Sequence, residues 1–315
     1  MPLHPDLEAF LELAELGREQ GRPALHELPP TEARVQYDAT ARMLEGDPVE
    51  VDQVRDLGIP CRDGHAIEAR LYRPAGLPTP APVLLYFHGG GYCVGGLDSH
   101  DALCRALAEL TPCAVLSVAY RLAPEHRFPT AVDDARDSHD WLRREATALG
   151  LDTQRLAVGG DSAGATLATT LCIALRDEHA ALPSAQVLLY PCTAAQQDSP
   201  SHQAHGHGLL LESDTLQWMF DNYLRSPDDR QDWRFAPLLA ERLDALPPAF
   251  IALAEYDPLC DEGVAYGDRL AQAGVPVRTQ VYEGMVHDFA RLADITDGAA
   301  QVREDIAAVL NTAWR

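Results

Sequence analysis

Six short apolar segments, each bounded by turn residues, alternate with longer helical patterns from residue 83 onwards. Continuous apolar runs of this length are typical of strands buried on both faces, and their alternation with helices is typical of a parallel sheet covered by helices. The pattern therefore predicts an α/β fold with a mostly parallel central sheet and helices on both faces. The predicted strands are Val83–Phe87, Ala114–Ala119, Leu156–Gly159, Val187–Tyr190, Phe250–Ala254 and Val277–Tyr282. The clearest helical stretches are Ser99–Leu110, Ala131–Leu149 and Ala163–Asp177.

The first 48 residues have a helical pattern of their own. Apolar side chains recur at the spacing i, i+3, i+4 and i+7, which is typical of an amphipathic helix lying on another surface. They are Leu7, Phe10, Leu11 and Ala14. Pro29 and Pro30 interrupt the pattern, and a weaker helical stretch continues to about Leu44. We therefore expect residues 1–48 to form a helical segment distinct from residues 49–315.

Two further regions lie outside the alternation of strand and helix. Residues 51–59 and 66–72 have strand patterns, and Asp63-Gly64 between them is a hairpin-turn signal. Residues 193–234 are polar and rich in histidine and serine, and this stretch is too long for a simple connection. It is expected to form a helical insertion or lid.

The charge composition excludes several classes of function. The 315 residues include 25 basic and 48 acidic side chains, a net charge of −23, and all 25 basic residues are arginine. Without lysine the chain cannot form a Schiff base, a Ser-Lys dyad or a lysine-bearing phosphate loop. The excess of negative charge argues against a nucleic-acid partner and against docking on an anionic membrane.

Length and cysteine content indicate a globular protein of a reducing compartment. The chain is long enough for one large domain or two of ordinary size. Its seven cysteines are an odd number and include no C-x-x-C pair, so neither a disulfide framework nor a zinc ribbon is predicted. The N-terminus lacks a signal-peptide pattern, and no apolar run approaches the roughly 18 residues of a membrane helix. We expect a cytoplasmic location.

The pentapeptide Gly160-Asp-Ser-Ala-Gly164 fits the G-x-S-x-G pattern of a nucleophilic serine. It directly follows the predicted strand Leu156–Gly159 and directly precedes the predicted helix Ala163–Asp177, as a sharp strand-to-helix turn requires. Such a turn exposes the hydroxyl of Ser162, and glycine tolerates the crowding on either side. The alternative is a loop of small residues, which the strand before it and the helix after it disfavour.

Three glycines follow the predicted strand Val83–Phe87 and its neighbour His88. Their small size lets backbone N–H groups approach a substrate carbonyl and form an oxyanion hole with the residue after the serine. The expected donors are the N–H groups of Gly89, Gly90, Gly91 and Ala163. The alternatives are a flexible glycine loop and a phosphate cradle, although no basic residue follows until Arg105. His88 itself is expected to have a structural role.

A nucleophilic serine needs a base and a carboxylate that orients the base. In a parallel sheet both belong in loops after later strands, in the chain order serine, acid, histidine. Asp257 and His287 each lie just beyond a predicted strand and satisfy this order. Glu255 and Asp261 are the alternative acids, whereas Asp288 is too close in sequence to His287 to be favoured as its orienting group.

Five motifs, in order over about residues 50–315, resemble the hormone-sensitive-lipase family of α/β-hydrolase carboxylesterases. They are His88-Gly-Gly-Gly-Tyr92, Tyr120-Arg-Leu-Ala-Pro-Glu-His126, Gly160-Asp-Ser-Ala-Gly164, Asp257-Pro-Leu-Cys-Asp-Glu-Gly263 and Gly284-Met-Val-His-Asp-Phe289. The resemblance implies the α/β-hydrolase fold, with Ser162 as nucleophile, Asp257 as acid and His287 as base.

The same resemblance implies a serine carboxylesterase that hydrolyses short- to medium-chain esters through an acyl-enzyme, with no cofactor and no metal. Residues 1–48 and part of 193–234 would form the family's cap over the acyl pocket. The partner would be a small-molecule ester, and family members often form homodimers. The alternatives on the same triad are a lipase, a formamidase or an amidase. A non-catalytic receptor on this fold is disfavoured because the triad histidine is present.

Two positions depart from the family's pattern. Cys260 stands where the family usually has a basic residue, and Asp288 stands where a glycine is common after the histidine. We expect the Asp288 carboxylate to shift the titration of His287. Activity is expected to fall below about pH 6, where an ordinary histidine becomes protonated.

Three histidines, at positions 202, 205 and 207, form the other conspicuous group of potential ligands. No positioned carboxylate or cysteine accompanies them. A solvated loop is therefore expected there, rather than a metal site.

Overall fold

The computed structural model of the protein describes residues 2–314, so Met1 and Arg315, at the outer ends of the two predicted segments, lie outside it. All the predicted strands are present, and several are longer than the sequence pattern indicates. The strands are β1 Gln53–Pro60, β2 Ala66–Arg73, β3 Ala81–Phe87, β4 Ala114–Ala119, β5 Leu151–Asp161, β6 Ala185–Leu189, β7 Ala249–Tyr256 and β8 Val277–Val286. The α-helices are α1 Pro5–Glu19, α2 Pro30–Leu44, α3 Asp101–Leu110, α4 Thr130–Leu149, α5 Ala163–Asp177, α6 Pro200–His205, α7 Ser213–Tyr223, α8 Cys260–Gln272 and α9 Gly298–Ala313.

The strands form one sheet in the order β1-β2-β4-β3-β5-β6-β7-β8. β1 pairs with β2, and β2 with β4, in antiparallel register, whereas every neighbouring pair from β4 across to β8 is parallel. The predicted hairpin joins β1 to β2, with Ile59 opposite Ile67. The α/β-hydrolase architecture predicted from the sequence is therefore confirmed.

Both faces of the central sheet are covered by helices. Successive side chains of each central strand point to opposite faces and are therefore buried in two separate cores. In β3, Leu84 and Tyr86 belong to the core that includes α3 and α9, whereas Leu85 and Phe87 belong to the core that includes α4, α5 and α8. Each fully buried side chain of this size contributes roughly 1.5–3 kcal/mol. The continuous apolar runs in the sequence reflect this burial on both sides.

β8 departs from that expectation because it is the last strand of the sheet and has only β7 beside it. Its first five residues are partly buried or exposed, and Val281 is 40 % exposed. The prediction that this strand is buried on both faces is therefore wrong for its first half. Its second half, which leads to His287, is largely buried.

The first N-terminal helix, α1, packs against the end of β8. The His4 N–H donates to the carbonyl oxygen of Gly284 at 3.0 Å, beside the end of β8. Leu7 and Leu11 of α1 are buried in the same core as Met285. This contact places α1 at the edge of the sheet where β8 ends.

Within residues 2–314, no helix is both long and apolar enough to span a membrane.

Candidate active site

Ser162 occupies the turn between β5 and α5. Its backbone has φ 51° and ψ −120°, a conformation that non-glycine residues rarely adopt and that costs on the order of 1–3 kcal/mol. The Ser162 N–H donates to the carbonyl oxygen of Leu189 at 2.8 Å, which ties the turn to the end of β6. This is the sharp strand-to-helix turn that the sequence predicts.

Gly160 and Gly164, on either side of the turn, are explained by close packing. A Cβ atom at either position would collide with the carbonyl oxygen of Phe87, at the end of β3. A larger residue would force the Ser162 turn away from the neighbouring strand. Both glycines of the motif are thus required by the fold itself.

Ser162, His287 and Asp257 form a continuous hydrogen-bonded chain at this edge of the sheet. His287 Nε2 lies 3.1 Å from Ser162 Oγ, and His287 Nδ1 lies 2.7 Å from Asp257 Oδ2. The other oxygen of Asp257 accepts the Leu259 N–H at 2.9 Å, and all three triad side chains are buried. The structure brings together the three residues predicted from the sequence, in a geometry that can move a proton from a serine to an imidazole.

The electrostatic surroundings of His287 favour its protonated form. Burial disfavours the imidazolium, but the hydrogen-bonded Asp257 carboxylate outweighs burial, and Asp288 and Asp161 add to its effect. The net result raises the pKa of His287 to about 9. The His287 imidazole therefore accepts a proton readily, and the neighbouring carboxylates stabilise the imidazolium that would form during serine attack.

The residues whose backbone N–H groups could bind an oxyanion line the cavity beside Ser162. Gly90 and Gly91 line it together with Ala163, the first residue of α5, whose N–H has no intrahelical acceptor. Gly90 and Gly91 have φ of 109° and 57°, and a Cβ atom at Gly90 would collide with the backbone of Val94. These three N–H groups are the candidate oxyanion donors.

Gly89, the fourth donor predicted from the sequence, is oriented differently. Its N–H points to Nε2 of His100 at 3.3 Å, and it does not line the cavity. His100 is buried beside Asp161, whose carboxylate accepts the Tyr86 hydroxyl at 2.7 Å. Gly89 therefore anchors the glycine loop to a buried polar cluster, and its N–H is not a candidate oxyanion donor.

A cavity of about 430 Å³ opens above Ser162 and His287. Its walls are mainly apolar and come from α1, α2, α7 and the segment before α7. The larger apolar side chains among them include Phe10, Leu44, Leu211, Leu216, Met219 and Phe220. Met219 packs so closely on the glycine loop at residues 89–91, called the oxyanion loop below, that a Cβ atom at Gly91 would collide with its side chain. The cavity has the size and character of a small-molecule site.

Residues 84–291 match a family model described as the alpha/beta hydrolase fold, and the match covers more than half of the chain. The chain belongs to the α/β-hydrolase family. The resemblance predicted from the five motifs is thereby confirmed.

Known members of this family are similar over almost the whole chain. An ethyl acetate hydrolase of Pseudomonas putida is 48 % identical over 307 residues, which cover 95 % of both proteins. The carboxylic ester hydrolase LipN of Mycobacterium tuberculosis is 40 % identical over 88 % of this chain and 75 % of its own. A crystal structure of an α/β-hydrolase enzyme from the metagenome of Lake Arreo, Spain, is 38 % identical, covers 98 % of both chains and superposes with a TM-score of 0.95.

A buried polar cluster beside His287 is not predicted from the sequence. Arg291 Nε donates to Glu45 Oε1 at 2.6 Å, and its Nη2 donates to the carbonyl oxygen of Ser99 at 2.7 Å. The same guanidinium donates to the Tyr37 hydroxyl and lies 3.5 Å from Asp288 Oδ2. The cluster places a guanidinium and two carboxylates in the cavity wall. Because its members lie far apart in the sequence, no local pattern indicates it.

The alternative acids weighed in the sequence have other partners. Glu255 Oε2 accepts the Gly284 N–H at 2.7 Å, and Asp261 Oδ2 accepts the Ser201 N–H at 2.8 Å. Asp257 is the carboxylate that holds His287.

The expectation of a solvated histidine loop is wrong for His202. This side chain is buried in α6, with Nδ1 2.6 Å from Ser199 Oγ and Nε2 3.3 Å from Glu262 Oε2. Burial raises the pKa of Glu262 to about 8. No group of three or more side chains suited to hold a metal ion is found between residues 2 and 314.

His88 has the structural position expected for it. Its Nδ1 lies 2.7 Å from the carbonyl oxygen of Gly89, and its ring stacks on Tyr120 with centroids 4.2 Å apart. Complete burial lowers the pKa of His88 to about 3. A histidine in this environment stays neutral and supports the glycine loop.

Proposed function

We propose that this protein is a serine carboxylesterase in which Ser162 is the nucleophile, His287 the general base and Asp257 the carboxylate that orients it. The observation that carries the proposal is the hydrogen-bonded chain from Asp257 through His287 to Ser162 Oγ, at the floor of an apolar cavity. The names of the relatives, which are ester hydrolases, support the same class of reaction.

The reaction follows from the geometry in two steps. His287 Nε2 takes the proton of Ser162 as Oγ attacks the ester carbonyl, and Asp257 stabilises the imidazolium. The N–H groups of Gly90, Gly91 and Ala163 stabilise the tetrahedral oxyanion, each contributing about 3 kcal/mol in comparable sites. The imidazolium then protonates the departing alcohol, and water attacks the acyl-enzyme with His287 again as the base.

We propose esters with short to medium acyl chains as the substrates. The cavity is compact at about 430 Å³, and Met219 closes it beside the oxyanion loop. A relative that is similar over 95 % of the chain is named for ethyl acetate, the ester of a two-carbon acid. p-Nitrophenyl esters of increasing chain length test this proposal. Rates that fall steeply beyond medium chains support an esterase, and undiminished rates on long chains would indicate a lipase.

The helices over the cavity are proposed to act as its cap. Residues 1–48 contribute α1 and α2, and residues 193–234 contribute α6 and α7. Side chains from α1, α2 and α7 line the cavity above Ser162. The cap thus sets which acyl and alcohol groups fit.

The cellular location and the oligomeric state stay predictions. All seven cysteines are free, and six of them are buried, which suits a protein of the cytoplasm. The homodimer that family members often form is to be tested by light scattering on the purified protein.

Replacement of the nucleophile gives the direct test. Ser162→Ala should abolish ester hydrolysis and labelling by a serine-reactive phosphonate while the circular dichroism spectrum is unchanged. Ser184→Ala, a serine whose Oγ donates to the carbonyl oxygen of Leu156 away from the cavity, is the matched control and should keep both properties. Hydrolysis by Ser162→Ala at the wild-type rate would refute the assignment.

A further inference from the structure

A second carboxylate, that of Asp288, lies beside His287 Nε2, the nitrogen that takes the Ser162 proton in the proposed mechanism. Asp288 Oδ1 is 3.9 Å from His287 Nε2, a separation too long for a direct hydrogen bond. The Asp288 side chain is 20 % exposed and lines the cavity that contains Ser162. Its oxygen therefore faces the space in which the ester reacts.

The backbone and a buried arginine fix this carboxylate in place. Asp288 has φ 65° and ψ 7°, in the left-handed region that aspartate tolerates better than most residues. Its other oxygen, Oδ2, lies 3.5 Å from Nη1 of Arg291, which is itself held by Glu45 and by the carbonyl oxygen of Ser99. One oxygen is thus directed to the arginine and the other to His287.

Hydrolysis of an acyl-enzyme makes a demand that its formation does not. Water has two O–H groups, and only one of them donates to His287 Nε2 when the oxygen attacks. In a cavity with mainly apolar walls, the second O–H needs an acceptor, because an unsatisfied polar group is costly away from bulk solvent. A gap of 3.9 Å between Nε2 and a carboxylate oxygen is one that a single water can bridge with both hydrogens.

We propose that Asp288 holds the water that releases the acyl group, with one O–H donated to Asp288 Oδ1 and the other to His287 Nε2. This inference rests on the proposed serine esterase mechanism. The water oxygen bonds to the acyl carbon, and its proton passes to Nε2. The tetrahedral intermediate then collapses to the free acid, and His287 returns the proton to Ser162 Oγ. Asp288 accepts a hydrogen bond throughout and takes no proton.

Competition between water and an alcohol isolates this role. Methanol has a single O–H, which it donates to His287, so it does not require Asp288. Both nucleophiles depend equally on the protonation of His287, on the folded fraction of the enzyme and on the formation of the acyl-enzyme. The ratio of methyl acetate to acetate formed from p-nitrophenyl acetate in aqueous methanol therefore reports on the water site alone.

Two variants suit the backbone at this position. Asp288→Gly removes the carboxylate at a left-handed φ that glycine adopts freely, and Asp288→Asn keeps an acceptor oxygen without the charge. The methyl acetate to acetate ratio is expected to rise on the order of tenfold in Asp288→Gly, as for the loss of one hydrogen bond to a charged group, and less in Asp288→Asn. Asp297→Asn removes the same charge from an exposed side chain outside the cavity and should leave the ratio unchanged.

The outcomes separate this inference from the proposed function. An acetyl adduct on Ser162, found by mass spectrometry after acid quenching, together with a raised ratio in Asp288→Gly, supports both. The same adduct with an unchanged ratio overturns the role of Asp288 and leaves the esterase mechanism standing. Turnover without any adduct on Ser162 overturns both.

Discussion

Glu45 and Arg291 form a buried ion pair, with 2.6 Å between Glu45 Oε1 and Arg291 Nε, across 246 residues of sequence. Glu45 follows directly on α2, and Arg291 lies four residues after the triad histidine. Both side chains are more than nine-tenths buried. The pair joins the helices over the cavity to the loop that carries His287.

Removal of one partner of this pair should destabilise the protein strongly. Glu45→Gln leaves the buried Arg291 guanidinium with only the more distant carboxylate of Asp288, at 3.5 Å, and the expected loss is about 3 kcal/mol of the free energy of unfolding. Denaturation by guanidinium chloride, followed by circular dichroism, measures this loss of stability. The exposed pair of Arg242 and Asp244 is the control, and Asp244→Asn should have a much smaller effect. Equal effects of the two substitutions would contradict the reasoning.

The pH dependence of kcat/KM should reflect the raised pKa of His287. The reaction needs the neutral imidazole, and a raised pKa keeps His287 protonated to higher pH. Activity should therefore rise with pH between the ordinary histidine pKa of 6.5 and the raised pKa of about 9, and level off above it. This range lies above the pH of about 6 expected from the sequence alone. Asp288→Asn removes one carboxylate that favours the imidazolium, so the rise in kcat/KM should shift to lower pH. A flat profile from pH 5 to 9 would contradict the prediction.

Substitution of Gly164 should disrupt the nucleophile turn. In Gly164→Ala the new methyl group meets the carbonyl oxygen of Phe87, so the turn and Ser162 Oγ must shift away from His287. Ester hydrolysis is expected to fall by about 100-fold or more, since a displacement of about 1 Å has effects of this size. Gly58→Ala is the control, because a Cβ atom there meets no neighbouring atom within 4 Å. Full activity of Gly164→Ala would show that the packing is less rigid than described.

Met219 should limit the acyl chain that the cavity accepts. Met219→Ala removes the side chain that packs on Gly91 and opens space beside the oxyanion loop. The ratio of kcat/KM for p-nitrophenyl octanoate to that for p-nitrophenyl acetate is expected to rise several-fold. Leu239→Ala, at a leucine that is 44 % exposed and outside the cavity wall, should leave the ratio unchanged. An unchanged ratio in Met219→Ala would place the limit elsewhere in the cap.

The nucleophile turn is predictable because its constraints are local. A strand, five residues and a helix specify it, and the predicted helix Ala163–Asp177 has the bounds of α5. Asp257 and His287 are predictable for a related reason, because strand ends in a parallel sheet converge on one edge. The ester hydrolase class predicted from these motifs is confirmed by the named relatives.

Features that depend on long-range packing are not predictable in this way. No helix is predicted for residues 260–272, where α8 contains Gly263 and Gly267, and glycine weakens a helical pattern. Both glycines are explained only by the folded protein, because a Cβ atom would collide with the side chains of Leu253 and Thr279. The orientation of the Gly89 N–H towards His100 likewise depends on a histidine that no motif includes.

The docking of the N-terminal helices on β8 also has a consequence for biosynthesis. α1 is synthesised before β8, yet Leu7 and Leu11 of α1 share a core with Met285, and the His4 N–H donates to the carbonyl oxygen of Gly284. Until β8 has emerged from the ribosome, α1 lacks this part of its native docking surface. The docking of α1 therefore reaches completion only after the last strand of the sheet has been synthesised.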